Sequence, residues 1–339
     1  MNSSASVAEA PTAPALLPAG SRRARLAARA LQLGLLPVLL AIAVIVFASL
    51  EPRFLTTLNA TNVARQLSFL AIVTLAQMAV LLTAEIDMSV ASNIALTSVV
   101  SSWVMVEVGG EGLAPIVAGV VAGLCVGLVM GLVNGFVVAL FGVPSFIVTI
   151  GTGAIAFGLG LTISSGSPIT GLPSDFTREL GSTDFGMFPL SFLFAAVALI
   201  GMYVLLNWTT LGHYLYAVGG GESAARLLGV PVLRSKVLAF VISGVLTSVA
   251  AVLLTARVAS GEPNLGTEFL VLSIAAAVLG GTSFFGGEGK VGMVAVGALF
   301  LVVLSNGMNL IRIASYTQEI IIGALLVLAV IVDRVRARV

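Results

Sequence analysis

Residues 113–140 read LAPIVAGVVAGLCVGLVMGLVNGFVVAL, an apolar run without one charged side chain. A spanning helix needs about 20 mostly apolar residues, and a charge at bilayer depth is costly. The run therefore predicts a membrane-spanning helix, over-long enough to tilt or to end in an interfacial turn. Working outward by hydropathy and loop signals gives ten candidate spans: 33–50, 63–83, 88–106, 113–140, 146–163, 189–206, 237–258, 270–283, 291–311 and 317–332. Of the 339 residues, 58% are hydrophobic and 9% charged, against about 25% charged in a soluble domain. Mean hydropathy is +1.13. So little charge cannot cover a globular surface, and soluble enzymes and nucleic-acid-binding proteins are excluded. The chain reads as an all-α polytopic membrane protein.

Segment 270–283 is too short to cross comfortably and reads as a broken or re-entrant helix. Its end, Leu279-Gly280-Gly281-Thr282-Ser283, is non-helical backbone that must be sheltered by protein or line a cavity.

Orientation follows from the basic residues, which collect on the cytoplasmic side. Arg22, Arg23, Arg25 and Arg29 precede the first span; Arg226, Arg234 and Lys236 lie in the loop 207–236; Arg334, Arg336 and Arg338 close the chain. Ten spans put these clusters, with Lys290, on one side, so both termini are expected in the cytoplasm. Charge supports an even count better than it supports ten, and eight spans would also satisfy it. The opposite loops carry Glu107, Glu111, Asp175, Glu179, Asp184, Glu262 and Glu268. Residues 1–32 form an Ala/Pro/Ser-rich, disordered segment with a basic flank, and 333–339 form a basic tail. Ser21-Arg22-Arg23 is followed by no small-residue cleavage site, so the first span is expected to be an uncleaved anchor.

The chain also matches itself at a fixed offset of 172 residues. Val80-Leu81-Leu82-Thr83-Ala84 recurs as Val252-Leu253-Leu254-Thr255-Ala256, Asn134-Gly135 as Asn306-Gly307, and Ile150-Gly151 as Ile322-Gly323. The second and seventh spans are an odd number apart, so segments 63–163 and 235–335 would run in opposite directions. Inverted repeats are a transporter architecture with the pathway near their interface.

The chemistry is defined by what the chain lacks. Net charge is +1, from 16 Lys and Arg against 15 Asp and Glu, so no field points to a polyanionic partner. Single residues Cys125 and His213 exclude an internal disulfide and a histidine-cluster metal site. No phosphate loop G-x-x-x-x-G-K-[ST] is present, since Gly289-Lys290 is followed by Val291. Any ATPase is then another chain. Few charges lie in the spans (Arg65, Arg257, Arg312 and Glu319 near their ends), which argues against an ion-coupled carrier. In the loop 207–236, Glu222 to Leu228 reads as a short helix with Ala224, Ala225, Leu227 and Leu228 on an apolar face and Arg226 as its charge. Such a helix suits a groove on a cytoplasmic partner, and equally suits a membrane surface.

Four stretches in order resemble the ribose/xylose-type permease family, membrane subunits of ATP-binding-cassette importers in the branched-chain amino acid/monosaccharide permease superfamily. They are Leu82 to Ser92 around Ile86-Asp87-Met88-Ser89; Gly131 to Gly135 with Val143 to Gly151; the loop Thr210 to Val230; and Ala275 to Ser283 with Gly286, Gly287 and Gly289. The resemblance covers about residues 60–335. Ala84 and Glu85 stand where the family has paired glycines, Gly221 where it usually has asparagine, and Leu272 where many members carry aspartate.

The resemblance implies an importer of the bacterial plasma (inner) membrane. A soluble binding protein delivers a monosaccharide, two permease subunits, identical or not, form the path through lipid, and two cytoplasmic ATPases drive alternating access. The expected ATPase-coupling residues are Gly212, Gly219, Gly220, Glu222, Ala225, Arg226 and Gly229. The expected pathway residues are Asp87, Asn134, Thr149, Asn306 and Asn309. No residue is expected to be catalytic, and no cofactor, metal or nucleic acid is called for. A permease for branched-chain amino acids or nucleosides, or a stand-alone secondary transporter, stands as the alternative.

Overall fold

The computed structural model describes residues 22–336, with side chains from Leu36 to Arg334. The N-terminal segment before Arg22 and the last three residues of the basic tail lie outside these, as do the flanking arginine side chains. The helices are α1 (Arg22–Leu50), α2 (Thr57–Leu81), α3 (Val90–Val108), α4 (Leu113–Phe141) and α5 (Ser145–Ser164). There follow a small hairpin of β1 (Asp184–Phe185) and β2 (Phe188–Pro189), then α6 (Leu190–Trp208), α7 (Thr210–Gly220) and α8 (Glu222–Leu227). The last four are α9 (Val232–Val258), α10 (Thr267–Leu279), α11 (Val291–Leu310) and α12 (Ser315–Arg336). Among the described residues eight helices are long and apolar enough to cross a membrane, while Leu36–Leu50 and α10 are shorter apolar helices. The all-α polytopic membrane architecture stands.

Helices α2 and α9 form the centre and run antiparallel. Phe69, Ile72 and Val73 cluster with Ala250, Ala251, Leu253 and Leu254, whereas Val80, further along α2, meets Phe240, earlier on α9. Around this pair the contacts come in matched sets. Helix α4 packs on α9 as α11 packs on α2, α3 packs on α9 as α10 packs on α2, and α5 and α12 lie against α3 and α10 in turn.

Lipid offers no hydrophobic drive between apolar helices, so close approach depends on small and polar residues. Helix α4 carries Gly119, Gly123, Gly127, Gly131 and Gly135 at four-residue spacing, which places them on one face. A Cβ at Gly127 would lie 2.2 Å from the Gly244 carbonyl oxygen, and one at Gly244 would lie 2.1 Å from that of Gly127. The two backbones touch there. A buried polar seam runs alongside: Asn93 Nδ2 donates to the Gly244 carbonyl at 3.1 Å, and Thr255 Oγ1 donates to Ser98 Oγ at 2.8 Å.

The bundle has two distinct ends. One carries the hairpin and the residues 168–184 loop, where Arg65 of α2 pairs with Asp184. The other carries α7 and α8, and α12 returns there, with the Phe284 amide donating to Asp333 at 2.9 Å. As expected, the short α10 gives way to non-helical backbone at Gly280, and the following Thr282 is fully buried in protein.

Two expectations need correction. Helix α1 begins at Arg22, within the segment 1–32 expected to be disordered. Within 207–236 the sequence suggests only a single short helix, yet α7 precedes it over Thr210–Gly220. Gly212 and Gly219 in it mark close contact rather than breaks: a Cβ at Gly212 would lie 2.3 Å from the Leu205 carbonyl oxygen.

Candidate functional site

At the α7–α8 end three backbone segments converge. The Gly287 amide donates to the Leu82 carbonyl at 3.0 Å, and a Cβ at Gly219 would lie 1.9 Å from that same oxygen. Gly220 adjoins Gly287 closely enough that a Cβ on the latter would meet its amide nitrogen at 2.8 Å. Tyr216 of α7 donates its hydroxyl to the Gly289 carbonyl at 2.8 Å. Gly219 and Gly220 thus seat α7 against the links that follow α2 and α10, whereas Gly212 packs on the end of α6.

Helix α8 is anchored on one side only. Ala225 is buried with Val218 and Val232, while Leu227 and Leu228 are 90% and 84% exposed. Two apolar side chains that project so fully are available to a partner or a membrane surface. Gly229 has φ +79, the left-handed conformation that turns the chain before Pro231, the N-cap of α9. Arg226 donates to Glu222 Oε1 at 2.8 Å, and Lys236 donates to Glu222 Oε2 at 2.8 Å and to Glu85 Oε1 at 2.7 Å. The hydrogen bond from Lys236, with help from Arg226, holds the Glu222 carboxyl below the usual glutamate range.

The five expected pathway residues fall in three places. Asp87, Asn134 and Thr149 come together around the link 82–89. Asp87 Oδ1 accepts from the Ser89 amide at 2.9 Å and the Ser89 hydroxyl at 2.6 Å, and its Oδ2 accepts from Ser243 of α9 at 2.9 Å. Asn134 Nδ2 donates to Ser89 Oγ at 2.9 Å, and its Oδ1 accepts from Thr152 at 2.6 Å. Thr149 accepts from the Met88 amide at 2.9 Å. Asn306 instead forms a reciprocal amide pair with Asn59, both bonds being 2.9 Å.

Asn309, the fifth, is exposed in a cleft of 990 Å³ between α2, α9, α10, α11 and α12, where its Oδ1 accepts from Gln318 at 2.8 Å. Arg65, Gln66, Arg257, Glu268 and Glu319 share the cleft, above a floor that includes Leu70 and Leu301. The volume is at the upper end of ordinary ligand pockets. Guanidinium and amide donors face carboxylate and amide acceptors, a set that suits a small solute bearing several hydroxyls. Sequence reading noted Arg65, Arg257 and Glu319 as charges near span ends, but no local signal shows that different helices bring them to one cavity. A smaller groove of 390 Å³, lined by Leu96, Val126, Val129, Ile155 and Cys125, is almost wholly apolar. Among the described residues no group of His, Cys, Asp and Glu could hold a metal ion.

Comparison with known proteins places these sites in context. A family model described as branched-chain amino acid transport system / permease component matches residues 59–330. The chain is 35% identical to the D-allose transport system permease protein AlsC of Escherichia coli (strain K12), over 87% of this chain and 90% of that protein. It is 36% identical to the ribose import permease protein RbsC of Bacillus subtilis (strain 168), over 86% and 90%. It is 36% identical to the L-arabinose transport system permease protein AraH of Escherichia coli (strain K12), over 91% and 92%. No solved structure matches the chain.

Proposed function

Since this chain belongs to the branched-chain amino acid transport system / permease component family, we propose that it is the membrane permease subunit of an ATP-binding-cassette importer for a monosaccharide. A binding protein delivers the sugar from outside, the chain pairs with a second permease subunit, and separate cytoplasmic ATPase subunits dock at the α7–α8 end. The protein crosses the bacterial inner membrane ten times, with both termini in the cytoplasm. Segments 63–163 and 235–335 are an inverted repeat, supported by the antiparallel α2 and α9 and by the matched helix contacts around them.

One observation carries the sugar reading: a cleft lined by charged and amide side chains, among them Asn309, Gln66 and Glu268, opens towards the end away from α8. A monosaccharide loses its hydration shell on entering lipid-depth protein, and each hydroxyl left unpaired there costs free energy. Donors and acceptors spaced around the cleft replace that shell. The allose, ribose and arabinose permeases among the relatives support the same class of solute. Residues Asp87, Asn134 and Thr149 do not line the cleft; through bonds to Ser89, Met88 and Ser243 they hold the 82–89 link.

Reconstitution with the ATPase subunits and binding protein tests this. ATP-dependent uptake of an aldopentose or aldohexose into proteoliposomes is the expected result, with the same sugar raising the melting temperature of the binding protein. Uptake of leucine or a nucleoside in its place, or uptake that proceeds without the ATPase, overturns the sugar-importer reading.

A further inference from the structure

We propose that Lys236 is a positioning residue that ties the docking helix α8 to the 82–89 link, so that movement of α8 reaches the Asp87 cluster. The inference rests on the permease reading above. It starts from Glu85, a carboxylate in the link that follows α2. In the structure that carboxylate has a dedicated partner. Lys236 Nζ lies 2.7 Å from Glu85 Oε1 and 2.8 Å from Glu222 Oε2, so one ammonium joins two carboxylates from two separate elements. Lys236 and Glu85 side chains are only 12% and 14% exposed. Water and salt therefore screen the pair weakly.

What the clasp grips is a link bonded to several helices. On one side, Glu222 opens α8 and also holds Arg226, so α8 moves as a unit with its acidic end. On the other, the residues that follow Glu85 are bonded to three different helices. Ile86 N donates to Ser145 Oγ at 3.0 Å and Met88 N donates to Thr149 Oγ1 at 2.9 Å, both on α5. Asp87 accepts from Ser243 on α9, and Ser89 accepts from Asn134 on α4. The link itself has little slack, since Ala84 sits at φ +61 with Gly286 packed against it. A path of bonded groups therefore runs from α8 to α4, α5 and α9.

The other contacts at this end differ: the Tyr216 hydrogen bond reaches Gly289, beyond α10, and what α7 offers the 82–89 link is packing. Gly219 abuts Leu82, and Gly220 abuts Gly287. Such packing transmits a push, because atoms cannot overlap, but it transmits no pull. A low-exposure ion pair does both. Alternating access needs both strokes, and the Lys236 clasp supplies the return stroke to the 82–89 link.

The experiment compares wild type, Lys236→Met, Lys236→Arg and Glu85→Gln in the reconstituted complex. The readouts are ATPase rate with sugar-loaded against empty binding protein, sugar uptake, and co-purification of the ATPase subunits. Lys236→Met should keep the subunits assembled but lower the loaded-to-empty ratio at least about fivefold, the low end of typical allosteric coupling, with uptake falling alongside. Lys236→Arg, which can bond both carboxylates, should restore most of the ratio. Glu85→Gln should lower it too, although Glu222 keeps its partners. That variant separates transmission from mere support of α8, and it decides the matter if Lys236→Met fails to assemble. Full stimulation in Glu85→Gln, or in an assembled Lys236→Met complex, overturns the clasp and leaves the permease reading standing. A wild-type complex with neither stimulation nor ATP-dependent uptake overturns that reading, and the clasp with it.

Discussion

Asn306 shows what a residue type does and does not disclose. A buried asparagine at the repeat offset suggested a pathway group, but both its amide atoms are taken up by Asn59, linking α11 to the start of α2. Sequence could mark Asn306 as unusual, since an amide in an apolar helix needs a partner. It could not name that partner, 247 positions away. Asn306→Ala should therefore lower the thermal stability of the purified protein by about 0.6–2 kcal/mol, in the range of interhelical hydrogen bonds in lipid, and leave sugar selectivity unchanged. A changed selectivity would return Asn306 to the pathway. Arg226 is a different case, because the sequence already marked it as the charge of the short helix. It sits on the exposed side of α8, with a side chain 70% exposed and one bond to Glu222. Its remaining donors can reach a carboxylate on the ATPase. Arg226→Glu should leave the protein inserted and folded but lower loaded-state ATPase stimulation and uptake about tenfold, as loss of roughly 1.5 kcal/mol at one charge-assisted bond implies. Stimulation preserved in the same proteoliposomes would mean that α8 only rests on headgroups.

At the scale of elements, the long helices were legible because bilayer thickness imposes their length, and α3, α4, α5 and α6 fall within a few residues of expectation. Helix α7 was not legible. Glycine ordinarily signals a turn, and only the fold shows that Gly212 and Gly219 are glycine because neighbouring backbone fills the space of a side chain. The same logic separates glycines that look alike in sequence. Gly244→Val pushes a side chain into the Gly127 carbonyl and should destabilise by more than about 3 kcal/mol, seen as lost yield or a collapsed melting temperature. Gly201→Ala on α6 meets nothing within 4 Å and should be neutral, or stabilising by up to about 1 kcal/mol. Helix α8 carries a pH signature as well. The Glu222 carboxyl is held below its ordinary 4.5, so its contribution is fully present above that value and is lost as pH falls through the lowered one. Protection of the α8 amides, once the intrinsic pH dependence of exchange is divided out, should then be unchanged between about pH 6 and 8 and fall only in acid below the ordinary glutamate range. Loosening near neutrality would contradict the Lys236–Glu222 pairing.

Over the whole molecule, two sequence signals of different origin meet. The 172-residue offset concerns internal symmetry, and the antiparallel α2 and α9 are what an inverted duplication requires. The placement of Lys and Arg concerns only which side of the membrane each loop occupies, a property the fold does not fix, since a bundle inserted either way up has the same internal contacts. Orientation must therefore be measured. Helix α6 provides the ruler: its 19 residues extend about 28 Å at 1.5 Å per residue, close to the thickness of a hydrocarbon core. Ser174 lies in the loop before it and Ser223 in α8 beyond it, and both are exposed. The native thiol, Cys125, is exposed on α4 and would confuse the result, so the test belongs in a Cys125→Ala background. Single cysteines at positions 174 and 223 should label from opposite sides of intact cells or sealed vesicles with a membrane-impermeant maleimide. Position 223 should react only from the cytoplasmic side, where Arg226, Arg234 and Lys236 place it by the positive-inside rule. Opposite labelling with position 223 outside would keep the bundle and invert its orientation, removing the ATPase-facing role of α8. Labelling of both from one side would mean that α6 does not cross, and the even-span arrangement would fall with it.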